Sequence, residues 1–135
     1  MYSRNAKGIK KEIWEQLMRP VTKSEMLQTI KGIPRDKAAG YDGVDINLIK
    51  LLAEDQLLDI LVMLTNIGFK QGVSLPSWRK AVITMIPKRR EDGSWTDRVR
   101  DMRPISVLQE FGKIASKILA ERWGQILLAN SEVQR

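Results

Sequence analysis

Residues 81–108 read AVITMIPKRREDGSWTDRVRDMRPISVL, and this stretch decides the fold class. Ala81 to Ile86 is short, apolar and rich in Val, Ile and Thr, which favours a strand over a helix. Because its apolar residues alternate onto both faces, we expect the strand to be covered on both sides. Asp92-Gly93 is a turn signal, so a second strand from Arg103 to Leu108 returns antiparallel to the first. The stretch therefore predicts one β-hairpin, about residues 81–108.

Outward from the hairpin, apolar residues recur at helical spacing, so the predicted fold class is α+β and mostly helical. The run LLDILVML between Leu57 and Phe69 predicts a helix buried on more than one side. The expected helices are one carrying Ile9, Ile13, Trp14 and Leu17, one capped by Thr22 and Glu25 with Met26, Leu27 and Ile30 inward and Gly32 at its end, Ile46 to Leu52, Leu57 to Phe69, and Gln109 to about Ala129.

Composition excludes several classes of chemistry. The 135 residues contain neither Cys nor His, which rules out disulfides, zinc-thiolate sites and Ser-His or Cys-His catalysis. Any metal would be a hard ion held by carboxylates, and the carboxylates show no such arrangement. The sequence shows no signal peptide and no apolar run of membrane-spanning length, which predicts an intracellular protein, in cytoplasm or nucleus, without a membrane partner.

The positive charge concentrates in and around the predicted hairpin. The chain carries 23 Lys and Arg against 16 Asp and Glu, a formal net charge of +7. A hairpin tip with this charge could hold phosphates, since Arg supplies a planar fork of donors and Lys a point charge. A solvated loop kept soluble by its charge is the alternative. Between Trp78 and Arg103 the basic residues are Arg79, Lys80, Lys88, Arg89, Arg90, Arg98, Arg100 and Arg103, and the acidic ones Glu91, Asp92, Asp97 and Asp101, which gives four of the seven net charges.

Two further features have both a functional and a structural interpretation. Arg103 precedes Pro104 and is thereby held in extended geometry, which suits a fixed ligand contact or simply an edge strand. Gly40, Asp42 and Gly43 lie just before a helix and could bind an anion there, although a turn at the helix entry is the better interpretation. Among the tryptophans, Trp95 lies in a polar loop and is the candidate for stacking on bases, whereas the apolar surroundings of Trp78 and Trp123 predict core positions.

Taken in order, these pieces resemble the N-terminal, fingers part of the reverse transcriptase domain of non-LTR (LINE-type) retrotransposons. The resemblance covers residues 33–135, a partial reverse transcriptase domain, and leaves residues 1–32 as an N-terminal helical extension. The departures are Tyr41, where the family has proline, and Met102, where it has an aromatic residue. The matching segments are DKAAGYDGVDINLIKLL, GVSLPSWRKAVITMIPKRRE and RDMRPISVLQEFGKIASKILAERW.

The resemblance implies roles for the basic residues of the hairpin. Arg103 would contact the incoming deoxynucleotide triphosphate, and Lys88 would be a second phosphate contact. Arg79, Lys80, Arg89 and Arg90 would contact the backbone of an RNA or DNA template-primer. The charges would then stabilise phosphate, and the apolar strands would hold them in place.

The resemblance also implies that the catalytic centre is missing. The family binds magnesium through aspartates on palm strands, and those motifs lie beyond the segment that matches here. We therefore expect no catalytic or metal-binding residue, no bound cofactor, and no polymerase activity from this polypeptide alone. Two alternatives stay open: a domesticated helical module that binds nucleic acid without catalysis, and a non-functional remnant of a transposable element.

Overall fold

The computed structural model describes residues 10–53 and 56–129, and within them the α+β class and the antiparallel hairpin are confirmed. Ile9, assigned above to the first helix, lies outside the described residues. Two 3-10 turns, Pro76–Arg79 and Val99–Asp101, precede the two strands. The helices are α1 (Lys11–Leu17), α2 (Lys23–Lys31), α3 (Ile46–Leu52), α4 (Gln56–Gln71) and α5 (Glu110–Ala129), and the strands are β1 (Ala81–Ile86) and β2 (Arg103–Leu108).

Side-chain caps begin two of the helices. The Thr22 hydroxyl accepts a hydrogen bond from the Glu25 N–H at 3.2 Å, as the capping-box spacing predicts. Asp45 does the same for α3, where its carboxylate accepts from the Leu48 N–H at 2.7 Å. At the other end of α2, Gly32 is the C-cap, also as predicted.

One apolar core joins α2, α3, α4 and α5. Met26 and Ile30 of α2 are fully buried as predicted, and Leu27 is half-buried. The N-terminal segment therefore shares its core with the rest of the chain. The buried members of this core are Val21, Met26, Ile30, Ile46, Ile49, Ala53, Leu61, Ile114 and Ile118.

A buried arginine ties the start of α2 to α5. The Arg122 guanidinium, only 3% exposed, donates to both carboxylate oxygens of Glu25 at 2.7 and 2.6 Å. It also donates to the carbonyls of Leu17, Arg19 and Pro20 in the α1–α2 connection. Its guanidinium lies 5.8 Å from the centre of the Phe69 ring on α4. Nothing in the sequence pattern predicted this contact.

Two predicted burial patterns are wrong. All six residues of β1 are exposed, although their apolar alternation predicted cover on both faces. On α4 only Leu61, Thr65 and Gly68 are buried, and Ile60, Met63 and Ile67 face outward. The reason is the same for both elements, because an apolar run is buried only where other residues pack on it. Within residues 10–53 and 56–129, the hairpin is a two-stranded sheet whose apolar side chains reach solvent, and so do those on the outer side of α4.

Candidate nucleic-acid interface

The hairpin register decides which side chains lie on the same face. Ala81 pairs with Leu108 and Ile86 with Arg103, with no slip between. Since directly opposed residues of an antiparallel pair share a face, Arg103 lies on the face of Val82, Thr84 and Ile86. Lys88 follows Ile86 by two residues, at the point where the strands run into the basic loop.

Beyond the strands, the hairpin continues into a second, shorter ladder. The Thr96 N–H donates to the Lys88 carbonyl at 3.0 Å, and the Arg90 N–H donates to the Ser94 carbonyl at 2.8 Å. Arg89 and Trp95 form an isolated antiparallel bridge between these bonds. Gly93 closes the turn with a φ of 83°, which a residue with a side chain rarely adopts. The tip is therefore an ordered turn.

Side-chain bonds reinforce this turn. Asp92 accepts from both the hydroxyl and the backbone N–H of Ser94, at 2.6 and 2.9 Å. Those two hydrogen bonds lower the pKa of Asp92, with the hydroxyl contributing most. Asp92 is thus a fixed, ionised member of the turn at neutral pH.

The six basic residues assigned above to phosphate contacts are all exposed, and they divide into two groups. Within the described part of the chain, the side chains of Arg79, Lys88 and Arg103 make no hydrogen bond, ion pair or ring contact. The other three have partners: Lys80 lies 5.5 Å above the Tyr41 ring, Arg89 donates to the Gly93 carbonyl at 3.0 Å, and Arg90 pairs with Asp97 at 2.6 Å.

The glycine loop before α3 supports the base of the hairpin. A Cβ at Gly40 would lie 2.8 Å from the Gln109 Cα and 3.1 Å from the Leu108 carbonyl oxygen, so only glycine fits this close approach. The next residue, Tyr41, lies beneath Lys80. The loop functions as a packing turn here, which is one of the two interpretations its sequence allowed.

Trp95 is exposed as predicted, whereas Trp78 and Trp123 are half-buried rather than core residues. The sequence did not predict two partners of the six basic residues, Tyr41 beneath Lys80 and Asp97 beside Arg90. A signal for the Arg89–Trp95 pair did exist, because the two positions are symmetric about Asp92 in the turn. Tyr41 and Lys80 are far apart in sequence, and no local pattern joins them.

Carboxylates in the described residues form no cluster of three that could hold a metal ion. Two acidic residues of the hairpin loop have partners, Asp97 with Arg90 and Asp92 with Ser94. These residues do not fit a magnesium site. In the described residues, no helix combines the length and hydropathy that a membrane span requires.

Curated proteins of three transposable elements are similar to this chain. An uncharacterized 149 kDa protein of Transposon TX1 from Xenopus laevis is 29% identical over 113 residues, 84% of this chain. In Drosophila melanogaster, the RNA-directed DNA polymerase from mobile element jockey is 34% identical over 102 residues, 76% of this chain. A probable RNA-directed DNA polymerase from transposon BS, also of D. melanogaster, is 27% identical over 110 residues, 82% of this chain.

The chain spans only a small part of these relatives. The matched residues make up 8% of the TX1 protein, 11% of the jockey protein and 12% of the BS protein. No protein-family model matches the chain.

Proposed function

This chain belongs to the family of non-LTR retrotransposon RNA-directed DNA polymerases, and we propose that it is part of their fingers region, which binds template and nucleotide phosphates. The proposal assigns binding, and no bond-making step, to these residues. As part of such a polymerase it would act inside the cell.

The observation that carries the proposal is the group of exposed cations without partners on an ordered hairpin. Within the described residues, Arg79, Lys88 and Arg103 keep their side-chain donors for a ligand. Arg103 begins β2, the Lys88 carbonyl accepts from the Thr96 N–H in the shorter ladder, and Arg79 ends the 3-10 turn before β1. A phosphate oxygen accepts from Arg or Lys in a charge-assisted bond, which is stronger than a neutral one. A fixed backbone lowers the entropy lost when the contact forms.

Within this surface, we assign Arg103 and Lys88 to the triphosphate of an incoming deoxynucleotide. Pro104 restricts the backbone of Arg103, and the register places Arg103 opposite Ile86, two residues from Lys88. Arg103 would supply a planar fork of donors and Lys88 a point charge, both where the strands run into the hairpin loop. Alanine at Arg103 should weaken triphosphate binding more than alanine at Arg98, which is an exposed arginine of the same loop.

The template backbone is assigned to Arg79, Lys80, Arg89 and Arg90. Arg90 must exchange Asp97 for a phosphate, and this exchange costs little because both side chains of the pair are exposed. Lys80 and Arg89 can keep their ring contacts, since a cation above a ring still has donors facing solvent.

Polymerisation itself should require parts of a longer protein. With purified chain, magnesium, a primed RNA template and all four deoxynucleotides, we expect no extended product. Extension would show that the catalytic residues are present here and that their assignment to a separate region is wrong.

The proposed binding is tested with a labelled single-stranded oligonucleotide and fluorescence anisotropy. Lys88, Arg89, Arg90 and Arg103 are changed together to Ala. We expect this to weaken binding about tenfold or more, because with no nucleotide in the assay Lys88 and Arg103 can contact phosphates of the strand as Arg89 and Arg90 do. A matched control removes the same charge from the helices through Ala at Lys11, Lys23, Lys31 and Lys70, which are exposed. Equal losses in both variants would mean that net charge alone attracts the strand, and the proposal would be rejected.

The exposed apolar residues favour a polymerase part over a free-standing module. Apolar side chains on both faces of the hairpin and on α4 reach solvent, among them Ile83, Met85, Ile105, Ile60 and Met63. Extended exposed apolar surface marks a site of association in soluble proteins. We therefore expect the purified chain to self-associate as its concentration rises, whereas a domesticated module would stay monomeric.

A further inference from the structure

We propose that Trp95 and Arg89 form a stacking platform at the hairpin tip that binds a base of a single-stranded nucleic acid. This rests on the proposed function, because the strand must first be held by its phosphates. It goes further by naming a contact to the base itself, made by a residue to which the resemblance gave no role.

Trp95 presents its ring to solvent. The residue is 64% exposed, which is unusual for the largest apolar side chain in a loop of polar residues. It lies opposite Arg89 in the short ladder, with the guanidinium carbon 5.9 Å from the ring centre. Arg89 is in turn held by its bond to the Gly93 carbonyl, so the cation and the ring stay together.

The platform is preorganised by the turn beneath it. Thr96, the next residue, is buried, and its N–H bonds to the Lys88 carbonyl. On the other side of Trp95, Ser94 is fixed by its bonds to Asp92 and Arg90. The backbone on both sides of the tryptophan is therefore ordered before any ligand arrives, and binding would order little more than the ring.

The chemistry of this platform selects a single strand. Every base offers a π face, and an exposed tryptophan stacks on it with little regard to sequence, while a neighbouring arginine adds attraction to the base or its phosphate. In a duplex the base faces are already stacked on one another, so no face is open to the tryptophan ring. The neighbouring cations Lys88 and Arg90 can neutralise the phosphates on each side of the stacked base.

A purely structural role for the pair is the competing explanation, since cross-strand aromatic pairs also stabilise hairpins. The two roles predict different results with a strand that lacks bases. A stacking platform distinguishes a normal strand from an abasic strand of equal length, because only the first has base faces. A structural pair contributes equally to both.

The test measures the affinity of oligothymidylate and of an abasic strand of equal length for the wild type, Trp95→Ala and Trp95→Phe. We expect the wild type to prefer the strand with bases by roughly 5- to 150-fold, the range that one stacked base contributes. Trp95→Ala should lose this preference while keeping the wild-type affinity for the abasic strand. Trp95→Phe should keep most of it, because an aromatic ring remains.

The matched control is Trp14→Ala, which removes a tryptophan of similar exposure, 51%, from α1. It should leave the preference unchanged. If the wild type binds oligothymidylate and the abasic strand equally, the stacking proposal is overturned and the proposal of phosphate binding is unaffected. Equal weakening of both strands in Trp95→Ala, with earlier unfolding, would show a structural pair and also overturn it. Failure of the wild type to bind either strand would reject both proposals.

Discussion

At the scale of single residues, the buried Arg122 joins α5 to the start of α2 and to the segment before it. It is buried, and its bonds reach Glu25 and three backbone carbonyls about one hundred residues away in sequence. A buried charge without such partners would be strongly destabilising, so losing either Arg122 or its partners should lower the stability of the fold.

Replacing Arg122 with Met should lower the free energy of unfolding by about 3–5 kcal/mol, because the Glu25 carboxylate and the carbonyls of Leu17 and Arg19 lose their donor. Arg122→Lys should cost less, since the charge remains but the forked geometry does not. Urea unfolding measures both. Lys117→Met, which breaks a partly exposed pair with Glu121, is the control and should change stability by less than about 1 kcal/mol. An effect of Arg122→Met as small as the control's would contradict the buried network.

Glu25 should make stability depend on acid pH. Hydrogen bonding from Arg122 is the largest cause that lowers the pKa of Glu25, with Arg122 and Arg19 charges adding to it and burial opposing. A lowered folded-state pKa stabilises the protein above the ordinary glutamate pKa, about 4.3, and this stabilisation disappears as pH falls through the lowered value. We therefore expect the wild type to have a higher free energy of unfolding than Glu25→Gln at neutral pH. In unfolding measured from pH 7 to pH 2, this difference should shrink only below the ordinary glutamate pKa. A constant advantage would contradict the lowered pKa.

Gly40 and Gly124 should respond oppositely to alanine. At Gly40 the new methyl group would meet the Gln109 backbone at 2.8 Å, so the loop must move and stability should fall by about 1–3 kcal/mol. At Gly124, within α5, no atom lies within 4 Å of the new Cβ, and alanine should stabilise by about 0.5–1 kcal/mol through helix propensity. Thermal unfolding measures the stability of both variants, and a neutral Gly40→Ala would show that the loop is not held against Leu108 and Gln109, where β2 ends.

At the scale of elements, local patterns predicted the bounds of the hairpin and of α3 as the structure has them. Val, Ile and Thr content fixed β1, and Asp92-Gly93 fixed the turn. Burial was not predictable in the same way, because it depends on what packs against an element. The residues of β1, and Ile60, Met63 and Ile67 of α4, have the composition of a covered surface, yet the described residues leave them exposed.

Exposure of the hairpin predicts a contrast between two isoleucines. Ile83 on β1 is 65% exposed, so Ile83→Ser should change the free energy of unfolding by less than about 1 kcal/mol. Ile118 on α5 is 1% exposed, and Ile118→Ala should cost about 2–5 kcal/mol. Ile83→Ser should instead reduce self-association in sedimentation velocity, because an exposed apolar strand pairs with other chains. Equal destabilisation by the two changes would mean that the hairpin is packed.

At the scale of the whole molecule, motif order identified the family, but it did not locate every contact between segments. The division at residue 32 followed the limit of the resemblance, whereas Val21, Met26 and Ile30 lie in the same core as Ile114 and Ile118. We infer that the N-terminal segment folds together with the rest. Contacts such as Arg122–Glu25 join positions too far apart for any periodic pattern to relate them.

For the candidate site, the sequence predicted which residues are basic but not how their side chains are arranged. The sequence named the six cations, while their division into free and partnered groups required the fold to bring Tyr41 to Lys80 and the turn to bring Asp97 to Arg90. Free cations on an ordered hairpin are what a polymer of phosphates would bind, and their number predicts how strongly salt competes.

The most direct test is therefore the affinity of the wild type for a single-stranded oligonucleotide at increasing salt concentration. If the hairpin neutralises about four phosphates, the logarithm of the binding constant should fall against the logarithm of salt concentration with a slope near −3, taken as roughly −0.7 per phosphate. The variant with Ala at Lys88, Arg89, Arg90 and Arg103 should lose most of that slope. A wild-type slope near zero, or a variant slope equal to that of the wild type, would contradict phosphate binding by the hairpin.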